Sequence, residues 1–279
     1  CLAVPTSGWQ AMIMCKVQRL PFIFRALDVS HKIRQGWFSP LVKTAERIVY
    51  RFSTSISANN LRMLQYCQEM SGKEVDGTVH LPPLNLEAFA SGDRDEGRNL
   101  LGLERDARVV LYLGSFFHFS GLDRCLLQMA QATDDTILLL IGGGEHMANL
   151  KLRAERLGLA NRVVFTGFLP FDELPDLVCA ADVAINPMLK SLVSDCALPH
   201  KVLQYMASGI PVVSTNLEGL RATLGDDSGV TFRDSPELVI RDAIHLASAK
   251  SIQSEVARRQ LGKLKALYRE DPVQVFESF

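Results

Sequence analysis

The chain has 279 residues, enough for two domains or for one domain and part of another. Hydrophobic residues make up 47% and charged residues 22%, an ordinary soluble globular balance, and no apolar run reaches the roughly 20 residues that span a bilayer. A formal net charge of -1 argues against nucleic-acid binding, which usually needs a strongly basic domain.

The chain opens Cys1-Leu-Ala-Val-Pro5, which reads as the tail of a strand. Neither an initiator methionine nor a signal-peptide pattern precedes it, so the chain is expected to begin partway through a domain. A loop and a helix follow over 6–20, then a strand at Pro21-Phe-Ile-Phe24 with Asp28 and His31 just past its end. Both are candidates to line a ligand cleft. Leu41, Ala45, Ile48 and Phe52 mark a helix, and Ser53-Thr-Ser-Ile-Ser57 a short strand. Asn59 is placed to cap the helix through Leu61, Leu64 and Cys67. Such βα alternation predicts a parallel sheet.

From Lys16 to Arg62 there are nine Lys/Arg, Arg34 among them, against two acids, Asp28 and Glu46. Lys43, Arg47 and Arg51, four apart, form one basic stripe on a helix. Two readings stay open: a solvated face, or peripheral docking to anionic lipid headgroups.

Residues 81–108, with Pro82-Pro83 and the polar run Ser91-Gly-Asp-Arg-Asp-Glu-Gly-Arg98, read as a linker. The domains are therefore drawn at 1–90 and 91–279. From Val109 strands are expected at 109–113, 137–141, 163–166, 182–186, 211–214 and 229–232. Helices are expected between them at 121–132, 146–157, 171–180, 198–207 and 217–224, and two more close the chain near 236–248 and 250–268. Right-handed crossovers make this one doubly wound sheet, whose ligands bind beyond the carboxyl ends of the strands.

The six cysteines are far apart and lack a Cys-x-x-Cys pair, which favours free core thiols in a reducing, cytoplasmic compartment. The histidines are equally scattered and predict no metal site.

Several strand-end loops carry usable chemistry. Gly114 and Gly121 bracket the first, with Ser120 and Asp123 as a helix-capping pair. Gly142-Gly-Gly144 follows the second strand, either as a tight turn or as a loop that lets backbone approach a ligand. Gly167 and Phe168 follow the third. The fourth runs from Asn186 to the helix bearing Lys201 and Gln204, and Asp195 in it reads first as a helix cap and second as a ligand. Strand, loop and helix amino end together aim unpaired N–H groups at one point, suited to a phosphate. Lys201 is either a solvated helix residue or a phosphate contact, and Gln204, three positions on, shares its face.

The runs Val109-Val-Leu-Tyr-Leu-Gly114, Leu139-Leu-Ile-Gly-Gly-Gly144, Arg162-Val-Val-Phe-Thr-Gly167 and Leu198-Pro-His-Lys-Val-Leu-Gln-Tyr-Met-Ala-Ser-Gly-Ile-Pro-Val-Val213 resemble the donor domain of group-1, family 4 type retaining glycosyltransferases. The resemblance implies an α/β, GT-B-like fold: a complete C-terminal Rossmann-like domain facing a partial N-terminal, acceptor-side one. It implies a UDP-, GDP- or ADP-sugar as donor, no further cofactor, and a glycan or lipid-linked acceptor at the inner face of the membrane. By the same comparison the family's two signature glutamates fall on Cys196 and Gln204, and its two diphosphate cations on Ser115 and Ser120. Ala197 and Leu198 join the donor loop, and Lys201 supplies one cation back. The alternatives are a catalytically inactive nucleotide-sugar-binding module and a sugar-nucleotide epimerase on the same fold.

Overall fold

The computed structural model describes residues 5–33 and 36–270; the strand tail expected at 1–4 and Arg34 lie outside them. Two parallel sheets stand in sequence order. The first has β1 (Ile23–Ala26), β2 (Ser55–Ala58) and β3 (Gly77–Val79), side by side in that order. The sequence reading missed β3, which is three residues long and starts at a glycine. A Cβ on Gly77 would lie 2.4 Å from the Leu64 side chain, so glycine lets the strand slide beneath the neighbouring helix.

The second sheet has six strands: β4 (Val109–Leu113), β5 (Ile137–Ile141), β6 (Val163–Gly167), β7 (Val183–Asn186), β8 (Val212–Thr215) and β9 (Thr231–Arg233). Their order is β6-β5-β4-β7-β8-β9, all parallel. Every residue of β4 is buried because helices cover both faces. Val109, Leu111 and Leu113 pack on one side with Val202, Met206 and Leu264. Val110 and Tyr112 pack on the other with Leu122, Leu126 and Ile240. Strand order reverses between β4 and β7, and the crevice beyond their carboxyl ends is where such sheets bind ligands. These two Rossmann-like units give the α/β, GT-B-like fold.

Three local differences have clear causes. The helix expected over 198–207 starts at His200 and runs to Ala207, and the polar loop before it holds a short helix of its own, Leu192–Cys196, with Ala197-Leu198-Pro199 extended between the two. Leu198 precedes a proline, whose ring disfavours helical backbone there. The stretch read as linker folds into helices Leu86–Ala90 and Arg94–Leu101. Arg98, 2% exposed, holds the latter by donating to the carbonyls of Glu104, Arg105, Ala107 and Ala180 and pairing with buried Asp182. Finally, Asn60 rather than Asn59 caps the helix Leu61–Ser71, its Oδ1 accepting from the Met63 N–H.

Candidate functional site

A cleft of about 380 Å³ opens where the carboxyl ends of the two sheets face each other. The first sheet contributes Asp28, two residues past β1, and Asn59, directly after β2. The second contributes Tyr112 and Ser115 at the end of β4, Met188 after β7, and the segment Ala197–Lys201 that leads into the helix His200–Ala207. Phe117 and Phe119, stacked with centroids 5.1 Å apart, form an apolar wall.

Lys201 is the cation of the second-sheet wall. Its Nζ sits 3.8 Å over the Tyr112 ring centroid, and a Cβ on Gly114 would lie 3.1 Å from it. Burial pushes its pKa down from 10.5 to about 7, and no carboxylate opposes that shift. An ammonium held at the amino end of a helix, at the switch point, and without a counter-ion among the described residues, is matched to an incoming anion. The same helix ties itself to β4: the Leu113 N–H donates to the Tyr205 hydroxyl at 2.7 Å.

The two walls are cross-linked behind the cleft. Asn60 Nδ2 donates to Asn59 Oδ1 at 2.9 Å and to the Cys196 carbonyl at 2.8 Å, while Asn59 Nδ2 donates to the Leu27 carbonyl. Arg62 pairs with Glu218 across the same boundary. His200 bonds through Nε2 to the Pro83 carbonyl at 2.9 Å.

Of the residues singled out in the sequence, Asp28, Ser115, Ser120, Ala197, Leu198 and Lys201 line this cleft. Gly114 stands beside them, in contact with Lys201. The others are engaged elsewhere. Gly142–Gly144 pack inward: added Cβ atoms would lie 2.2 Å from the Gly114 carbonyl, 2.9 Å from the Phe168 ring and 2.8 Å from the Phe116 carbonyl. The triplet is a stitched turn, with the Phe116 N–H donating to the Gly143 carbonyl and the Gly142 N–H to the Gly167 carbonyl. Phe168 is 78% exposed and covers Gly143. Cys196 is fully buried among Met63, Tyr66 and Cys67, and burial pushes its thiol pKa up to about 11. Gln204, 6% exposed, is not among the residues lining the cleft. Asp195 does not cap its own helix, which Ser191 caps; its Oδ1 accepts from the Glu218 N–H in the first turn of the helix Glu218–Leu224. Ser120 donates to the Phe117 carbonyl, and Asp123 pairs with His146, so the expected capping pair is not formed.

His31 lies outside the cleft, buried with its Nδ1 2.5 Å from Glu46 Oε2, and Tyr66 bonds to both. In the basic stripe, Arg51 donates to the Ser71 carbonyl, and Arg47 and Arg51 both approach Gly72. There they face the negative end of the helix Leu61–Ser71, a structural use for part of the stripe. The cysteines among the described residues are free, and no described helix is long and apolar enough to cross a membrane. Sequence reasoning missed Asn59 as a cleft residue, along with Phe117, Phe119, Met188 and His200; only their positions directly after strands or at a helix start signalled them.

A 2-deoxystreptamine glucosyltransferase of Streptomyces kanamyceticus is 31% identical over 193 residues, covering 67% of this chain and 49% of the relative. A 2-deoxystreptamine N-acetyl-D-glucosaminyltransferase of Streptomyces fradiae is 26% identical over 214 residues, covering 70% and 49%. The chain thus spans about half the length of these curated relatives. Among solved structures, sucrose-phosphate synthase from Thermosynechococcus elongatus superposes with a TM-score of 0.82 at 19% identity, covering 99% of this chain and 71% of that one. The Anabaena protein Alr3699/HepE, solved in complex with UDP, gives 0.71 at 19% identity, covering 95% and 77%. The family model described as Glycosyl transferases group 1 matches residues 107–249, just over half of the chain, and the protein belongs to that family.

Proposed function

We propose that this chain carries the donor side, and part of the acceptor side, of a hexosyltransferase. The enzyme would move a sugar from a UDP-, GDP- or ADP-sugar to a hydroxyl of a glycan or lipid-linked acceptor, with retention of configuration. The observation that carries the reading is Lys201: a half-buried cation without a counter-ion among the described residues, beside Gly114 at the switch point of the sheet. Relatives named for glucosyl and N-acetylglucosaminyl transfer, and a structural neighbour holding UDP, support it.

On this reading the ammonium of Lys201 and the first turn of the helix His200–Ala207 stabilise negative charge growing on the departing diphosphate. The bond between the anomeric carbon and the diphosphate oxygen breaks as the acceptor oxygen approaches from the same face. The oxygen's proton passes to the leaving diphosphate, so no protein nucleophile is required. Phe117, Phe119 and Met188 keep the wall apolar, which strengthens the lysine's field.

The burial of Cys196 and the position of Gln204 away from the cleft favour a second reading, a nucleotide-sugar-binding module without turnover. Calorimetry with UDP, GDP and ADP on this chain tests the shared premise, and binding of none of them would overturn both readings. Turnover by the longer parent chain, measured as release of nucleoside diphosphate from its sugar conjugate, separates the two.

A further inference from the structure

We propose that Asp28 makes the acceptor side of the cleft select amine-bearing polyols, such as amino sugars and aminocyclitols, over phosphorylated ones. This deepens the glycosyl-transfer reading and rests on it.

Asp28 and Asn59 stand at the carboxyl ends of adjacent parallel strands, β1 and β2, the edge at which a doubly wound sheet presents ligand-binding groups. Among the described residues nothing hydrogen-bonds or ion-pairs with the Asp28 carboxylate, and the surrounding protein raises its pKa with no cation to oppose the shift. Arg25, three residues earlier, turns its guanidinium to Ser57 Oγ at 2.7 Å and the His80 carbonyl at 2.9 Å. Lys201 faces the same cleft, yet burial is the sole cause of its own shift, so the two charges do not neutralise each other.

The cleft is therefore polarised, with Lys201 contributed by the second sheet, Asp28 by the first, and Leu27, Met188 and Phe119 among its apolar lining. Two anions cannot share it comfortably. With a diphosphate on the Lys201 wall, a second phosphate would meet the like-charged Asp28 carboxylate across the cleft. An ammonium in that position supplies the missing counter-ion through a charge-assisted hydrogen bond. Neighbouring hydroxyls find Asn59, whose amide is oriented by Asn60 and Leu27 and retains one donor hydrogen and one acceptor lone pair.

The test is a ligand-observed NMR titration of the chain saturated with UDP, using methyl β-D-glucosaminide, methyl β-D-glucoside and glucose 6-phosphate as probes. The expected order of affinity is glucosaminide, then glucoside, then phosphate, with about tenfold between the first two. Asp28→Asn should collapse that preference to within about twofold, and Asp28→Glu should retain it. UDP affinity, measured separately, should stay within about twofold in both variants. A glucosaminide preference that survives Asp28→Asn, equal binding of glucose 6-phosphate, or binding of none of the three overturns the proposal. If UDP fails to bind while the preference and its loss in Asp28→Asn persist, the nucleotide reading fails and the acceptor assignment stands.

Discussion

Replacing Lys201 with methionine should raise stability and weaken donor binding together. A lysine whose pKa falls from 10.5 to about 7 carries a burial cost of up to about 5 kcal/mol, taking about 1.4 kcal/mol for each tenfold change in the proton equilibrium. That figure is a ceiling. Lys201 borders an open cleft, and its ammonium lies 3.8 Å above the Tyr112 ring, which returns about 1 kcal/mol or more. Methionine has a similar length and no charge, so a net gain of about 1–2 kcal/mol is expected, or about 2–6 °C in melting temperature for a chain of this size.

The pH dependence fixes the sign. Below about pH 7 the lysine is charged in native and unfolded chains alike, and the full cost is present. Between about 7 and 10.5 the unfolded chain holds the proton and the native one sheds it, so the wild type gains stability as pH rises. The advantage of Lys201→Met is therefore largest at or below pH 7 and shrinks toward pH 10.5. Binding runs the other way. A pyrophosphate favours the charged lysine, so wild-type affinity for UDP-glucose should fall as pH climbs above 7, by at most about tenfold per pH unit. Lys201→Met should bind about 10–100-fold more weakly at pH 6.5, the worth of one charge-assisted contact, and lose that slope. Differential scanning fluorimetry and calorimetry at pH 6.5, 7.5 and 8.5 read both. A variant that is less stable than wild type at pH 6.5, or that binds UDP-glucose equally well, refutes the reasoning.

Arg98→Met should be strongly destabilising, by about 3–5 kcal/mol in urea unfolding. It abandons four backbone carbonyls and leaves Asp182, 6% exposed, with only the Arg94 side chain as counter-ion; a loss under 1 kcal/mol would mean that water replaces the guanidinium. Asn60→Ala removes a helix cap and the bond to the Cys196 carbonyl, together worth about 2 kcal/mol. Hydrogen exchange should quicken both at the start of the helix Leu61–Ser71 and around residue 196, and a change confined to the helix would show that the cross-link is idle.

The second sheet was readable because its four central strands, β5, β4, β7 and β8, are short runs buried on both sides, and burial on both sides leaves little freedom in composition. The site was readable only where local chemistry is fixed by position: Lys201 at a helix start, Ser115 beyond β4, Asp28 beyond β1. Gly142–Gly144 stayed open between turn and ligand loop because a glycine needed for backbone crowding and one needed for a ligand look identical in sequence. The decisive neighbours, Gly114, Phe116 and Phe168, come from two other loops. The bond from the Glu218 N–H to Asp195, and the capping of the helix Leu61–Ser71 by Asn60 rather than Asn59, turned on one-residue shifts and on partners in other segments. Asn59 stood out in the sequence only as a cap, because its cleft role depends on the opposing sheet.

Pro82-Pro83 is a crossing point for three separate parts of the chain. The Tyr268 hydroxyl donates to the Pro82 carbonyl at 2.7 Å, and His200 reaches the Pro83 carbonyl, so the outgoing connection, the terminal helix Lys250–Glu270 and the donor helix are pinned at one spot. The Asn60–Cys196 bond and the Arg62–Glu218 pair tie the same two units together elsewhere, so the two sheets are held at more than one place. Pro82, Pro199 and His200 also line the cleft, so this anchor borders the site itself. Moving one sheet relative to the other would have to break these contacts together, so the connection helps to set the shape of the site as well as to join its halves.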